Sequence, residues 1–183
     1  MNKLSNFLRK LGCTSIQEYL EKLANSEISY TMVKPDYANS KDVITMVRAR
    51  ILKAGFKIIA EGYIKYDKSA ARKHYSDHIE KPFYPTLEKY ITSDLAYGMI
   101  VAGENVVDTI HSPDFMGSTK NPQQGTVRFE GLKIMGYLDR DPRINGTENV
   151  AHSSDSFEAA HKESEIFLKL LEKTVQPSND VEC

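Results

Sequence analysis

His152 sits in the run Asn149-Val150-Ala151-His152-Ser153-Ser154-Asp155-Ser156, where a short strand or loop leads into a helix. Such a junction exposes a side chain while its backbone is held firmly. An imidazole near neutral pKa is partly unprotonated at pH 7, so one ring nitrogen can attack phosphorus when a partner fixes the other. Glu163 is the candidate partner: it lies two turns into the following helix, and a helix packed back along its own strand returns such a side chain to the histidine. Position alone does not decide this, because a histidine ahead of a helix is more often a surface or capping residue.

Two cations are placed to meet a phosphate. Lys34 follows an apolar run and precedes Pro35, which puts its ammonium at a strand end or leaves it as a solvated loop lysine. Arg128 follows Gly125-Thr126-Val127, where glycine lets the backbone approach an anion that a guanidinium can grip with two nitrogens. Tyr75, Phe83 and Tyr84 flank a proline-bounded corner and offer either a stacking platform for a base or ordinary core packing. The chain has no Gly-x-x-x-x-Gly-Lys-Ser/Thr loop and no Gly-x-Gly-x-x-Gly, so any phosphate cradle must be built of side chains. His74, His78, His111 and His161 do not make a zinc set with Cys13 and Cys183, and no structural metal is expected.

The elements that must carry these residues follow from periodicity. Ile28–Val33 reads as a buried strand ended by Lys34-Pro35-Asp36. Val43, Ile44, Val47, Ile51 and Leu52 mark a helix from Ser40 to Gly55. Phe56–Ile64 supplies a second strand, and residues 68–78 and 84–92 read as short helices broken by Pro82 and Pro85. Leu95–Ala102 is a third strand and 104–110 a short helix. From His111 to Val150 glycines and prolines interrupt any pattern, so a long irregular loop is expected there. The helix Asp155–Leu171 follows, with Asp155 and Glu158 at capping-box spacing. The order fits an α/β (α+β) domain of the ferredoxin-like, split βαβ kind, an antiparallel sheet covered by helices. Residues 1–27, with Ile16, Tyr19, Leu20 and Leu23 on one face behind Thr14-Ser15, read as an N-terminal helical extension. Residues 28–172 read as the domain and 173–183 as a polar tail.

The 183 residues carry 24 Lys+Arg against 25 Asp+Glu, a formal net charge of -1. No global field therefore favours nucleic acid or an anionic membrane. Two cysteines offer no disulfide framework, and neither a signal peptide nor a membrane span is evident, so a cytoplasmic protein is expected.

Val33-Lys34-Pro35-Asp36, His74-Tyr75, Lys81-Pro82-Phe83-Tyr84-Pro85, Gly125-Thr126-Val127-Arg128 and Asn149 to Ser156 together resemble the nucleoside diphosphate kinase family in order and approximate spacing, over about Ile28 to Leu171. The block around His152 is the most specific. The resemblance implies that His152 is the phosphorylated nucleophile of a ping-pong transfer from a nucleoside triphosphate, ATP being the expected donor, to nucleoside diphosphates. It also implies that Lys34, Tyr75, Arg128 and Asn149 hold phosphates and sugar, that Phe83 stacks on the base beside Leu87, and that Thr119 contacts phosphate. Ser154 and Glu163 match the family's histidine-supporting pair. A site that reads stacking, sugar and phosphate rather than base edges implies broad acceptance of purines and pyrimidines. Mg2+ is expected to arrive with the nucleotide, and a homo-oligomer, tetramer or hexamer, is expected.

Two departures from the family pattern stand out. Pro113 occupies the place of a second phosphate-binding arginine, four residues before Gly117, and the chain between Arg128 and His152 is longer, mostly within Gly131 to Thr147. Arg140, Arg143 or His111 are candidates to replace the lost charge; the alternative is a surface loop with ordinary charges. A nucleotide-binding regulator without turnover is the first rival reading. A nucleic-acid-binding sheet module is the second, and the near-neutral charge argues against it.

Overall fold

Six consecutive residues, Ile28–Val33 (β1), are all buried, because this strand lies inside the sheet with both faces covered. The structure, a computed structural model, describes residues 8, 13–23, 27–139 and 146–175. Arg140, Arg143, most of the N-terminal segment before Ile16 and the tail beyond 175 lie outside the described residues.

Ile16–Leu23 forms α1, with Ser15 Oγ accepting from Glu18 N as its cap. After β1 comes a single turn, Pro35–Ala38 (α2), whose proline sits in the first turn where no amide is needed. Lys41–Lys53 (α3) starts on Ser40, whose side chain accepts from Val43 N. Lys57–Lys65 (β2), Lys68–His74 (α4), a short 3-10 turn at Ser76–His78, and Tyr84–Ile91 (α5) follow. Leu95–Ala102 (β3), Val106–His111 (α6), Val127–Met135 (α7), Ala151–Ser153 (β4) and Phe157–Val175 (α8) complete the described elements.

The sheet is antiparallel with order β2-β3-β1-β4. Pairing runs from Ile28 opposite Ala102 to Val33 opposite Tyr97, and Met32 stands opposite His152. Successive strand residues alternate faces, so one apolar cluster gathers Tyr30, Met32, Ile64 and Ile100 under Phe167 of α8. The other gathers Val33, Met99 and Val101 under Val47 and Ile51 of α3 and Val127 of α7. This is the ferredoxin-like arrangement expected from the order of elements.

Two expectations need correction. The stretch from His111 to Val150 is not irregular throughout: α7 lies within it, capped by Thr126 Oγ1 accepting from Phe129 N and ended by Gly136 in the left-handed region at φ 71°. The last helix begins at Phe157 rather than Asp155. Ser156 caps it, its Oγ accepting from Ala159 N at 3.1 Å, so the expected capping box of Asp155 and Glu158 does not form the start.

The height of α8 over the sheet depends on two glycines. A Cβ on Gly98 of β3 would lie 2.5 Å from the Phe167 ring and 2.9 Å from Tyr30 Oη, and one on Gly62 of β2 would lie 2.7 Å from Leu171 Cδ1. The Leu171 end can turn aside, but at Gly98 a buried ring and a buried hydroxyl leave room only for hydrogen with the helix this close.

Candidate active site

His152 is the middle residue of β4, and it points to the face that α8 covers. With α8 held close to the sheet, Glu163 reaches back and its Oε2 lies 3.0 Å from His152 Nε2. Ser154 Oγ donates to the same oxygen at 2.6 Å and is itself fixed beside Tyr30, whose backbone N donates to Ser154 Oγ at 3.0 Å. A second imidazole completes the cluster: His74 Nε2 is 3.3 Å from His152 Nε2 and 3.5 Å from Glu163 Oε1. Its Nδ1 meets Tyr66 Oη at 3.0 Å.

The electrostatics follow from burial and these contacts. Burial alone raises the Glu163 carboxyl, but His152, His74 and the Ser154 hydroxyl outweigh it and hold the group down at about 2. Burial, reinforced by the neighbouring His152, lowers His74 to about 3, so that ring is neutral at pH 7. An ionised carboxylate accepts only, and its hydrogen bond at 3.0 Å places a proton on His152 Nε2. In the neutral form of the ring the lone pair is then on Nδ1, which has no hydrogen-bond partner among the described residues.

His152 belongs to a cleft of about 220 Å³ lined by Lys34, Tyr75, His78, Phe83, Leu87, Thr119, Arg128, Gly146, Thr147, Asn149, Ala151 and His152. The seven nucleotide-contact candidates named from the sequence, from Lys34 through Asn149, are therefore brought together on one concave surface with the histidine. Ser154 and Glu163 lie behind His152 rather than in the cleft.

Lys34 follows β1 and is buried; its Nζ donates to Thr147 O at 3.2 Å. With the Asn149 amide oriented to satisfy its neighbours, Asn149 Oδ1 accepts from Lys34 Nζ at 3.1 Å and Nδ2 donates to Ala151 O at 2.7 Å. Burial, and secondarily the charge of Arg128, lowers Lys34 to about 7. Arg128, in the first turn of α7, donates to Gly117 O and, at 2.9 Å, to Ala151 O. Its burial lowers the guanidinium to about 10, which leaves it charged at pH 7. Tyr75 is buried with its hydroxyl in no hydrogen bond among the described residues, while Phe83 is 46% exposed at the mouth with its ring edge-on to His78 at 5.5 Å. The cleft offers an anion the Arg128 guanidinium, a lysine that an anion would hold in its charged form, and an aromatic rim.

The model of the family described as Nucleoside diphosphate kinase matches residues 27–172. The chain belongs to the nucleoside diphosphate kinase family. It is 33% identical over 160 residues to the nucleoside diphosphate kinase of Staphylococcus carnosus strain TM300, covering 85% of this chain and 96% of that protein. With the enzyme of the same description from Listeria innocua it shares 35% identity over 146 residues, 78% of this chain and 89% of that one. A solved nucleoside diphosphate kinase from Encephalitozoon cuniculi superposes with a TM-score of 0.63 at 21% identity, over 85% of this chain and 96% of that structure. The protein is thus a nucleotide phosphotransferase by family, and its fold is that of the family's solved structures.

His111, expected as one candidate to replace the charge lost at Pro113, does not line the cleft. Its Nδ1 lies 3.2 Å from Ser153 Oγ, on the sheet face opposite His152. Sequence reasoning also left three neighbours of the site without a role: His74 beside His152, and His78 and Thr147 in the cleft wall. His74 carried a signal in its neighbour Tyr75, but nothing in local spacing ties it to a histidine 78 positions away.

Proposed function

We propose that this chain transfers the γ-phosphoryl group of a nucleoside triphosphate, ATP being the expected donor, to nucleoside diphosphates in two half-reactions through phospho-His152. The observation that carries the reading is the pairing of His152 Nε2 with Glu163 at 3.0 Å, which leaves Nδ1 without a partner on a residue that lines the same cleft as Lys34 and Arg128.

In the first half-reaction Nδ1 forms a bond to the γ-phosphorus, the bond from that phosphorus to the β,γ-bridging oxygen breaks, and the diphosphate leaves with the electron pair. Glu163 balances the charge that develops on the imidazole, and Ser154 keeps the carboxylate aimed at Nε2. In the second half-reaction the terminal oxygen of an incoming diphosphate attacks the phosphohistidine and Nδ1 regains its lone pair. Such transfer depends chiefly on alignment and on fixed charge facing the equatorial oxygens. Lys34, Arg128, Thr119, Tyr75 and Asn149 are the groups placed to supply both, and Phe83 with Leu87 would hold the base without reading its edges.

Mg2+ fits as part of the nucleotide. No carboxylate lines the cleft among the described residues, so the ion's ligands there would be phosphate oxygens and water. When bound it neutralises phosphate charge. A homo-oligomer belongs to the same reading: β2 forms one edge of the sheet and exposes Tyr63, a strand edge that proteins ordinarily cover. With His111 outside the cleft, Arg140 and Arg143 remain as candidates for the missing cation.

Incubation with γ-labelled ATP and Mg2+, native chain against His152→Ala, tests the reading. Acid-labile label that appears on the native protein, moves to added diphosphates and is absent from the variant is the expected result. Label that never moves supports the regulator instead, and no label on folded native protein rules out phosphohistidine chemistry.

A further inference from the structure

The transfer chemistry uses one side of the His152 ring and one carboxylate oxygen, and leaves His74 unexplained. The His74 side chain is fully buried, with its Nε2 only 3.3 Å from the Nε2 of His152, while the Glu163 carboxylate spans the pair at 3.0 and 3.5 Å. Two imidazoles and one carboxylate whose ligand atoms all lie within 4.8 Å of one another make a borderline-soft N2O set of the kind that holds zinc with one position open. Donors bound at zinc's usual distances around a tetrahedral centre stand about 3.3 Å apart; here the two nitrogens are 3.3 Å apart, and the carboxylate puts Oε2 3.0 Å from His152 and Oε1 3.5 Å from His74.

The surroundings supply what two of these ligands, His74 and Glu163, need on their far sides. A metal-bound histidine ordinarily gives its other ring N–H to an oxygen, and His74 Nδ1 faces Tyr66 Oη at 3.0 Å. A ligating carboxylate is itself hydrogen-bonded, and Ser154 Oγ donates to Glu163 at 2.6 Å.

We propose that His74, His152 and Glu163 form a zinc-binding site that competes with phosphoryl transfer at the same histidine. Zinc takes the lone pair of His152 Nε2, so the ring's single proton moves to Nδ1. Nδ1, the nitrogen that attacks in the transfer reading, then carries hydrogen and has no lone pair with which to do so. Metal occupancy and nucleophilicity are mutually exclusive states of one imidazole, and inhibition needs no displacement of nucleotide. The inhibitory consequence rests on His152 acting as the nucleophile; the binding does not.

The test uses the full chain, freed of metal and nucleotide. Zn2+ is titrated in competition with a chromophoric chelator, and Co2+ is added separately as a spectroscopic probe. The expected result is one Zn2+ per chain and the intense visible bands of four-coordinate Co2+, with His74→Gln, His152→Asn and Glu163→Gln each weakening Zn2+ binding at least tenfold. Zn2+ should also block labelling by Mg-ATP, reversibly on chelation. Because His74→Gln alters a buried position, the partly exposed His152→Asn keeps the result decisive if the former does not fold. Native-like Zn2+ affinity in folded His152→Asn, or only weak octahedral Co2+ bands, overturns the site even if labelling by ATP is normal. Zinc bound through these residues in a chain that ATP never labels upholds the site and rejects the phosphohistidine reading, so the two fail separately.

Discussion

Glu163 Oε2 lies 3.0 Å from His152 Nε2 and also accepts from Ser154 Oγ at 2.6 Å, so one buried carboxylate sets both the tautomer and the orientation of the imidazole. Glu163→Gln keeps the shape and removes the charge. A hydrogen bond to a charged group contributes about 1.5–3 kcal/mol, and about 1.4 kcal/mol corresponds to tenfold in rate. Phosphorylation of His152 by ATP in rapid-quench experiments should therefore slow roughly ten- to a hundredfold in the variant. An unchanged rate constant would falsify the assignment of Glu163 as the group that positions and charges the ring.

Phe83 is 46% exposed and caps nothing with its side chain, so its ring is free to serve a ligand. Stacking of a base on an aromatic ring contributes about 1–3 kcal/mol. Phe83→Ala should raise KM roughly five- to a hundredfold for purine and pyrimidine diphosphates alike, while the urea midpoint stays nearly unchanged. A variant with native KM for every base would show that the base lies elsewhere.

The parts of this architecture that could be read from residues are those governed by near neighbours. Ile28–Val33 announced itself as an apolar run ended by Pro35, and Glu163 could be paired with His152 because a strand and the helix after it bring positions eleven apart together. Helix α7 was hidden by the glycines and prolines around it, although Thr126 and Gly136 are ordinary start and stop residues. Asp155 looked like the cap of α8, yet Ser156 takes that role, since several short polar residues in a row leave the choice to tertiary packing. His74 meets His152 through a strand pairing and a helix contact that no local period encodes. The family resemblance supplied what periodicity does not, the joining of Lys34, Phe83 and Arg128 into one cleft.

Gly98 links fold to site. Its missing Cβ is what lets Phe167 sit on β3, and Phe167 belongs to the same helix as Glu163. Gly98→Ala forces a methyl against a fully buried ring and the Tyr30 hydroxyl, and overpacking of this kind costs about 1–3 kcal/mol. Urea denaturation should show a loss of that size. The same shift lifts Glu163 from His152, so turnover of the folded fraction should also fall. Full stability and full turnover together would mean that α8 is not held at its height by this contact.

Lys34 gives the site a pH dependence of definite sign. In the free protein its burial, with Arg128 nearby, sets its pKa at about 7, below the usual lysine value of 10.5. A bound phosphate favours the ammonium form and raises that pKa again. Binding near and above pH 7 must then take up a proton, and affinity should fall as pH rises from about 7 toward the pKa of the complex, with little change below 7. For folding the same depression means that the unfolded chain holds more protons between pH 7 and 10.5, so Lys34 opposes stability least at the alkaline end of that window. Calorimetric titration of Mg-ADP at pH 8 in two buffers of different ionisation enthalpy reads the uptake directly. Lys34→Gln should abolish the buffer-dependent part; if native and variant take up the same number of protons, the titrating group is not Lys34.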